Sequence, residues 1–262
     1  MPGSVKLAER YAVKVYYEGE AYYGFQPLKD KPTVGGVILR ALQESGLISD
    51  RREAIFQAAS RTDRGVSALG QTIAFNTREK FSLGRLNAYL PEDVRAWAWS
   101  KVPLNFNPRK QALRRRYLYV APYGGEDFKA MVEASHLLAV HLQPPVEVKL
   151  RLEDSLIHFT FTSKSFVRGL IRRLVSLLLK AGRGEFSLKE LEEKLGGEGL
   201  ASLRLPLAPP EPLLLLDVEY GFPFQVDESE LRRLLGRLAW KACRLETFKA
   251  CLKLLGERLA QL

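Results

Sequence analysis

Residues 60–71 read SRTDRGVSALGQ and place one carboxylate, Asp63, between two guanidinium groups, Arg61 and Arg64. Gly65 gives the backbone the freedom that a tight turn needs. A carboxylate kept charged among cations can act as a nucleophile or take up a proton. The same residues also read as a β-hairpin turn stabilised by its aspartate, so the segment alone leaves both readings open. Other chemistries find less support. His136, His141 and His158 lack the rhythm of a metal site. The two cysteines, Cys243 and Cys251, share one face of an expected helix, which excludes a disulfide framework and fits a reducing cytoplasm. Gly19 and Gly24 have the spacing of a phosphate-binding loop, but Phe25 and Gln26 stand where Lys and Ser or Thr would hold phosphate and magnesium. Neither a metal nor a nucleotide cofactor is expected.

The surface that surrounds this carboxylate must be basic. Forty Lys and Arg against thirty Asp and Glu give the 262 residues a charge of +10, while 46% apolar residues suffice for a folded core. No acid lies between Asp93 and Glu126, a stretch with Arg95, Lys101, Arg109, Lys110 and the triplet Arg114, Arg115, Arg116. A second acid-free stretch, from Ser155 to Gly184, carries Lys164, Arg168, Arg172, Arg173, Lys180 and Arg183. On a helix over 166–179, Val167, Leu170, Ile171, Leu174, Leu177 and Leu178 form the buried side and leave Arg168 and Arg172 adjacent on the other. A phosphate backbone suits such a face, because each neutralised phosphate releases counterion. Tyr117, Tyr119 and Phe166 sit beside these cations, a pattern suited to single-stranded or flipped bases, although alternate aromatics in a strand also pack cores. The signature of an RNA-recognition motif is missing. The opening MPGSVKLAER lacks the apolar centre of a signal peptide, and the run Leu213 to Leu216 is too short to cross a bilayer, so a soluble protein is expected.

Periodicity predicts the elements that position these groups. Strands are expected over 11–18, 54–60, 71–76 and 94–102, with helices over 34–47 and after the N-cap candidate Ser82. The order is that of a split βαβ unit. A second such unit follows: strand 116–122, helix 126–141, strands 146–152 and 156–162, helix 166–179 and strand 213–220. A further helix over 188–195 is announced by Ser187 and Glu190 in capping-box spacing. The expected fold is α+β, two similar ferredoxin-like halves, 1–105 and 106–262, that form an antiparallel platform with a central cleft. GFPFQ at 221–225 breaks regular structure. Residues 228–262 then read as one or two amphipathic helices, with Leu231, Leu234, Leu235, Leu238, Leu252, Leu255 and Leu259, that pack rather than react.

With these residues in view, the chain resembles the TruA family of tRNA pseudouridine synthases, whose nucleophile segment follows G-R-T-D-A-G-V-H-A-x-G-Q. Arg61, Thr62, Asp63, Gly65, Val66, Ala68, Gly70 and Gln71 match. Residues 17–26 (YEGEAYYGFQ), 115–119 (RRYLY), 165–172 (SFVRGLIR) and 210–220 (PEPLLLLDVEY) resemble further family segments. Departures include Glu18, Phe25, Ser60, Arg64, Ser67 and Arg168, and QPPVEVKL follows His141 where the family carries a His-Asp-Phe loop. The resemblance implies a cytoplasmic, cofactor-free isomerase that turns uridine into pseudouridine in the anticodon stem-loop of tRNA, in the region of positions 38 to 40, as a homodimer. It implies Asp63 as the catalytic carboxylate, Arg61 as the base-flipping arginine, Tyr117 as the ring that packs on uracil, and Arg172 as the partner of Asp63. Arg64, Arg115 and Arg168 are expected at the substrate, and Arg114, Arg115, Arg168 and Arg173 at phosphates. A silent RNA-binding protein with the same cleft is the competing reading, which the retention of Asp63 disfavours.

Overall fold

Alternating apolar residues make β1 (Glu9–Tyr17), whose odd-numbered side chains Tyr11, Val13, Val15 and Tyr17 all enter the main core. In the computed structural model, which describes residues 7–197 and 199–259, the chain continues with α1 (Val34–Glu44), β2 (Gln57–Ala58), β3 (Ser67–Thr77), α2 (Leu83–Asn87) and β4 (Val94–Val102). It goes on with β5 (Arg114–Pro122), α3 (Phe128–His141), β6 (Glu147–Glu153), β7 (Leu156–Ser163), α4 (Leu170–Gly182) and α5 (Leu188–Gly196). β8 (Leu213–Glu219), β9 (Gln225–Val226) and α6 (Glu228–Leu259) complete it. The class is α+β. The strands form one open sheet in the order β6-β7-β5-β8-β3-β1-β4-β9, with β2 on β3. Every pairing is antiparallel except β3 with β8, which run parallel where Ser67 meets Leu214 and Ala68 meets Leu215. That short junction joins the earlier strands to the later ones. The register aligns Tyr117, Leu215, Ala68 and Tyr17 as cross-strand neighbours, so two tyrosines distant in sequence flank the start of β3.

Side-chain caps start several helices. Thr33 accepts a hydrogen bond from the Gly36 amide, Ser82 from Arg85, and Ser187 and Glu190 form the expected capping box. The opposite face of β1 buries charge: the Lys14 ammonium meets Asp217 and the Val218 carbonyl beneath the rings of Tyr220 and Phe224. The irregular GFPFQ segment is thus a cover for that face.

Three expectations are corrected. The strand over 54–60 shrinks to β2, because residues 51–55 turn and Ile55 adopts a positive φ of 43°. The helix expected over 166–179 begins only at Leu170, after Gly169 in the left-handed region (φ 72°), so Arg168 and Val167 precede it and Val167 is exposed. The tail is one helix, and only its start packs: Glu230 and Leu234 are buried, whereas Leu245, Phe248, Leu252 and Leu255 are each more than half exposed. The side chain of Leu259, residues 260–262 and most of the opening MPGSVKLAER (residues 1–6) lie outside the described residues. No helix among the described residues is long and apolar enough to cross a membrane.

Candidate active site

A cleft of about 1440 Å³ opens where the loop before β3, the start of β5 and the loop before α4 converge. Asp63 lies on its wall with about a quarter of its side chain exposed. Its two cationic neighbours are not those beside it in sequence. Arg172 Nη1 lies 3.5 Å from Oδ2 and Arg168 Nε 3.4 Å from Oδ1. Arg61 and Arg64, expected to flank the carboxylate, make no ion pair with it. Arg64 places its guanidinium 4.4 Å from the Tyr23 ring centre, and Arg61 stands exposed on the cleft wall. The chain turns at residues 64–65, and the cations that reach Asp63 come instead from α4 and the residues just before it, about a hundred positions further along.

The loop that carries Asp63 is held from several directions. The Tyr17 hydroxyl and Thr62 Oγ1 share a buried hydrogen bond of 2.7 Å. Gln71 donates to the Ser60 carbonyl at 2.8 Å and accepts from the Ser60 amide at 3.1 Å. The Phe25 amide donates to the Thr62 carbonyl at 3.1 Å. Close approach explains two glycines: a Cβ at Gly19 would lie 2.3 Å from the Val66 carbonyl oxygen, and one at Gly24 (φ 91°) would lie 2.9 Å from that of Thr62. The pair whose spacing suggested a phosphate loop is there to let two backbones touch. Gly65 takes a φ of 84° beside Pro210.

Arg115 is buried and has a role different from the one expected. It donates from Nε to Ser60 Oγ at 3.2 Å, from Nη2 to the carbonyls of Ala59 and Arg109 at 3.0 and 2.8 Å, and from Nη1 to that of Lys164. With four of its five N–H groups committed to backbone and Ser60, it positions the loop and keeps one N–H for anything in the cleft. Arg114 is also otherwise engaged, because it and Arg116 both pair with Glu219 of the adjacent strand β8. Runs without acids in sequence therefore acquire acids in space. Tyr117 is buried, meets Phe166 edge to face at 5.3 Å, and lines the cleft. Burial raises its phenol above the ordinary value, although a hydrogen bond with Ser60 and the charge of Arg115 act against it. Arg173, expected at a phosphate, donates to the Arg168 carbonyl at 3.3 Å on the cleft rim.

Glu18, beside Gly19, ties this region to α6 through Lys241 and Arg237. Burial by itself raises the Glu18 carboxyl, yet hydrogen bonds from Lys241 and Tyr16 and the charges of Lys241 and Arg237 outweigh it and hold the group below its ordinary value. Such a group adds stability above the unfolded pKa of about 4.3 and loses it as pH falls through the lower folded value. Glu18→Gln is expected to flatten the acid side of the melting-temperature profile below about pH 4.5. An unchanged acid slope would remove Glu18 from that account.

A family profile described as tRNA pseudouridine synthase matches residues 123–221, the part with Arg168 and Arg172. Over nearly its whole length the chain is similar to proteins named tRNA pseudouridine synthase A. That of Pyrobaculum islandicum is 34% identical over 95% of this chain and 98% of the relative. That of Pyrobaculum calidifontis is 36% identical over 95% and 97%, and that of Pyrococcus abyssi 37% over 86% and 90%. Among solved structures, a protein of unknown role from Galdieria sulphuraria overlaps with a TM-score of 0.23 at 13% identity, over 69% of this chain and 94% of the other, too slight a likeness to carry an argument.

Proposed function

The chain belongs to the tRNA pseudouridine synthase family, and from that premise we propose that its Asp63 cleft isomerises uridine in the anticodon stem-loop of tRNA. The observation that carries this reading is a carboxylate fixed by a rigid loop, flanked by Arg172, and facing an open cleft large enough for a nucleoside. The reaction breaks the C1'–N1 bond of a uridine, turns the uracil, and joins C5 to C1', so no atom leaves and no electron is gained or lost. Asp63 is the group that acts on the sugar or base, either by attack at C1' or by removal of a sugar proton. Arg172 stands beside its carboxylate and orients it before the uridine arrives. The uridine must leave its stack to reach that depth, and exposed Arg61 on the wall is placed to fill the gap it leaves. Tyr117, neutral and edge-on to Phe166, offers its ring to the uracil.

The division into two ferredoxin-like halves belongs to this reading too. The element orders on either side of residue 105 support it, as does the position of the cleft beside the parallel β3–β8 junction. A homodimer is favoured by the exposed row Leu245, Phe248, Leu252 and Leu255 on α6, an apolar strip of the kind that a second subunit covers.

Purified protein incubated with intact tRNA and, separately, with the isolated anticodon stem-loop is expected to yield pseudouridine in that arm of both, as read by chemical probing. Its mass in solution is expected to be that of two chains. A monomer that modifies only the D or T arm would refute substrate and assembly together. Tight binding without any isomerised uridine would favour a silent RNA-binding protein.

A further inference from the structure

Behind Arg61 lies a second, smaller cleft of about 460 Å³, and it shares Phe25, Gln26, Arg61 and Arg109 with the Asp63 cleft as common walls. Its other lining includes Arg51, Lys110, Asn107 and the half-buried ring of Phe56, and no carboxylate. Arg51, Arg61, Arg109 and Lys110 are all exposed, and none has an acidic partner among the described residues. This contrasts with Arg114, Arg116, Lys180 and Arg183, each paired with a glutamate. Four uncompensated cations in one concavity repel one another, and an anion held among them relieves that repulsion.

The walls are built, not accidental. Arg10, almost wholly buried, donates to the Phe106 carbonyl at 2.8 Å, to the Ile55 carbonyl at 3.2 Å and to Gln57 Oε1 at 2.8 Å, and so ties the two sides of the small cleft together. Asn107 Oδ1 accepts from the amides of Arg109 and Lys110 at 3.0 and 3.1 Å, and Arg115 grips the Arg109 carbonyl, which fixes the turn that presents both cations. Cations on a fixed backbone lose less freedom when they bind than cations on a loose loop.

We infer that this side cleft is a second RNA subsite, which holds a phosphodiester next to the target uridine while that uridine occupies the Asp63 cleft. The inference rests on the proposed isomerase reading. Because Arg61 separates the two clefts, a strand that delivers its base to Asp63 carries its adjoining phosphate past Arg61 toward Arg109, Lys110 and Arg51.

The test is ethylation interference. Intact tRNA, ethylated at random phosphates, is sorted by binding to the wild-type protein and to Arg51→Gln and Lys110→Gln, both surface changes. Ethylation within about two nucleotides of the isomerised uridine is expected to weaken wild-type binding about tenfold and to have little effect on the variants. Each variant should also flatten the slope of log affinity against log salt by about one unit. Variants that keep the wild-type interference pattern and salt slope would overturn the inference, as would a loss confined to phosphates remote from that uridine. If the wild type isomerises no uridine, the proposed function fails, while the interference map still reports whether Arg51 and Lys110 grip a common phosphate.

Discussion

Asp63→Asn is expected to lower uridine isomerisation by at least about a thousandfold while tRNA binding stays within about threefold. The substitution keeps the shape of the side chain and removes only its charge and its ability to act as nucleophile or base. The loop should hold, because its hydrogen bonds run through Tyr17, Thr62, Ser60 and Gln71 and not through the Asp63 carboxylate. A melting temperature close to the wild type's, measured beside turnover, separates loss of chemistry from loss of fold. Turnover above about a hundredth of wild type, with deamidation excluded by mass spectrometry, would remove the carboxylate from the reaction.

Arg172→Gln is the second large effect expected, and Arg168→Gln is its control. The two guanidinium groups lie at nearly equal distances from Asp63, yet the Arg172 side chain is 14% exposed and that of Arg168 is 93% exposed. Water and salt screen the outer pair, so its contribution is small, whereas the inner one acts where screening is weak. Arg172 also donates from Nε to the Ala208 carbonyl, a bond that fixes its direction. Arg172→Gln is expected to cut turnover about a hundredfold and to cost about 1–3 kcal/mol of stability, and Arg168→Gln to change turnover by less than about fivefold. Equal losses from the two variants would mean that burial does not rank them and that both act on bound RNA.

Much of this site is legible in the sequence. The segment with Asp63, the neighbouring basic stretches, Tyr117 and the capping-box helix are local patterns, and a local pattern survives translation into structure because its periodicity and caps are satisfied within a few residues. The roles inside the motif were harder to separate. Thr62 and Gln71 match a family pattern as strongly as Asp63 does, but the structure uses them to hold the loop. Arg115 reads as one cation in a run of three, and only its burial among backbone carbonyls makes it a positioning residue.

What the sequence by itself determined was most of the elements and their order, the basic balance and the place of the carboxylate along the chain. Tertiary structure decided which charges meet. It brought Arg172 rather than Arg61 or Arg64 to Asp63, gave Glu219 to Arg114 and Arg116, left Arg51, Arg109 and Lys110 without an acidic partner among the described residues, and used Gly19 and Gly24 to press two loops together. The reason is range. Helix and strand periodicity follow from backbone geometry over a few residues, whereas an ion pair depends on a few ångströms of separation and on exclusion of water, and both are set only when segments a hundred residues apart are packed against one sheet.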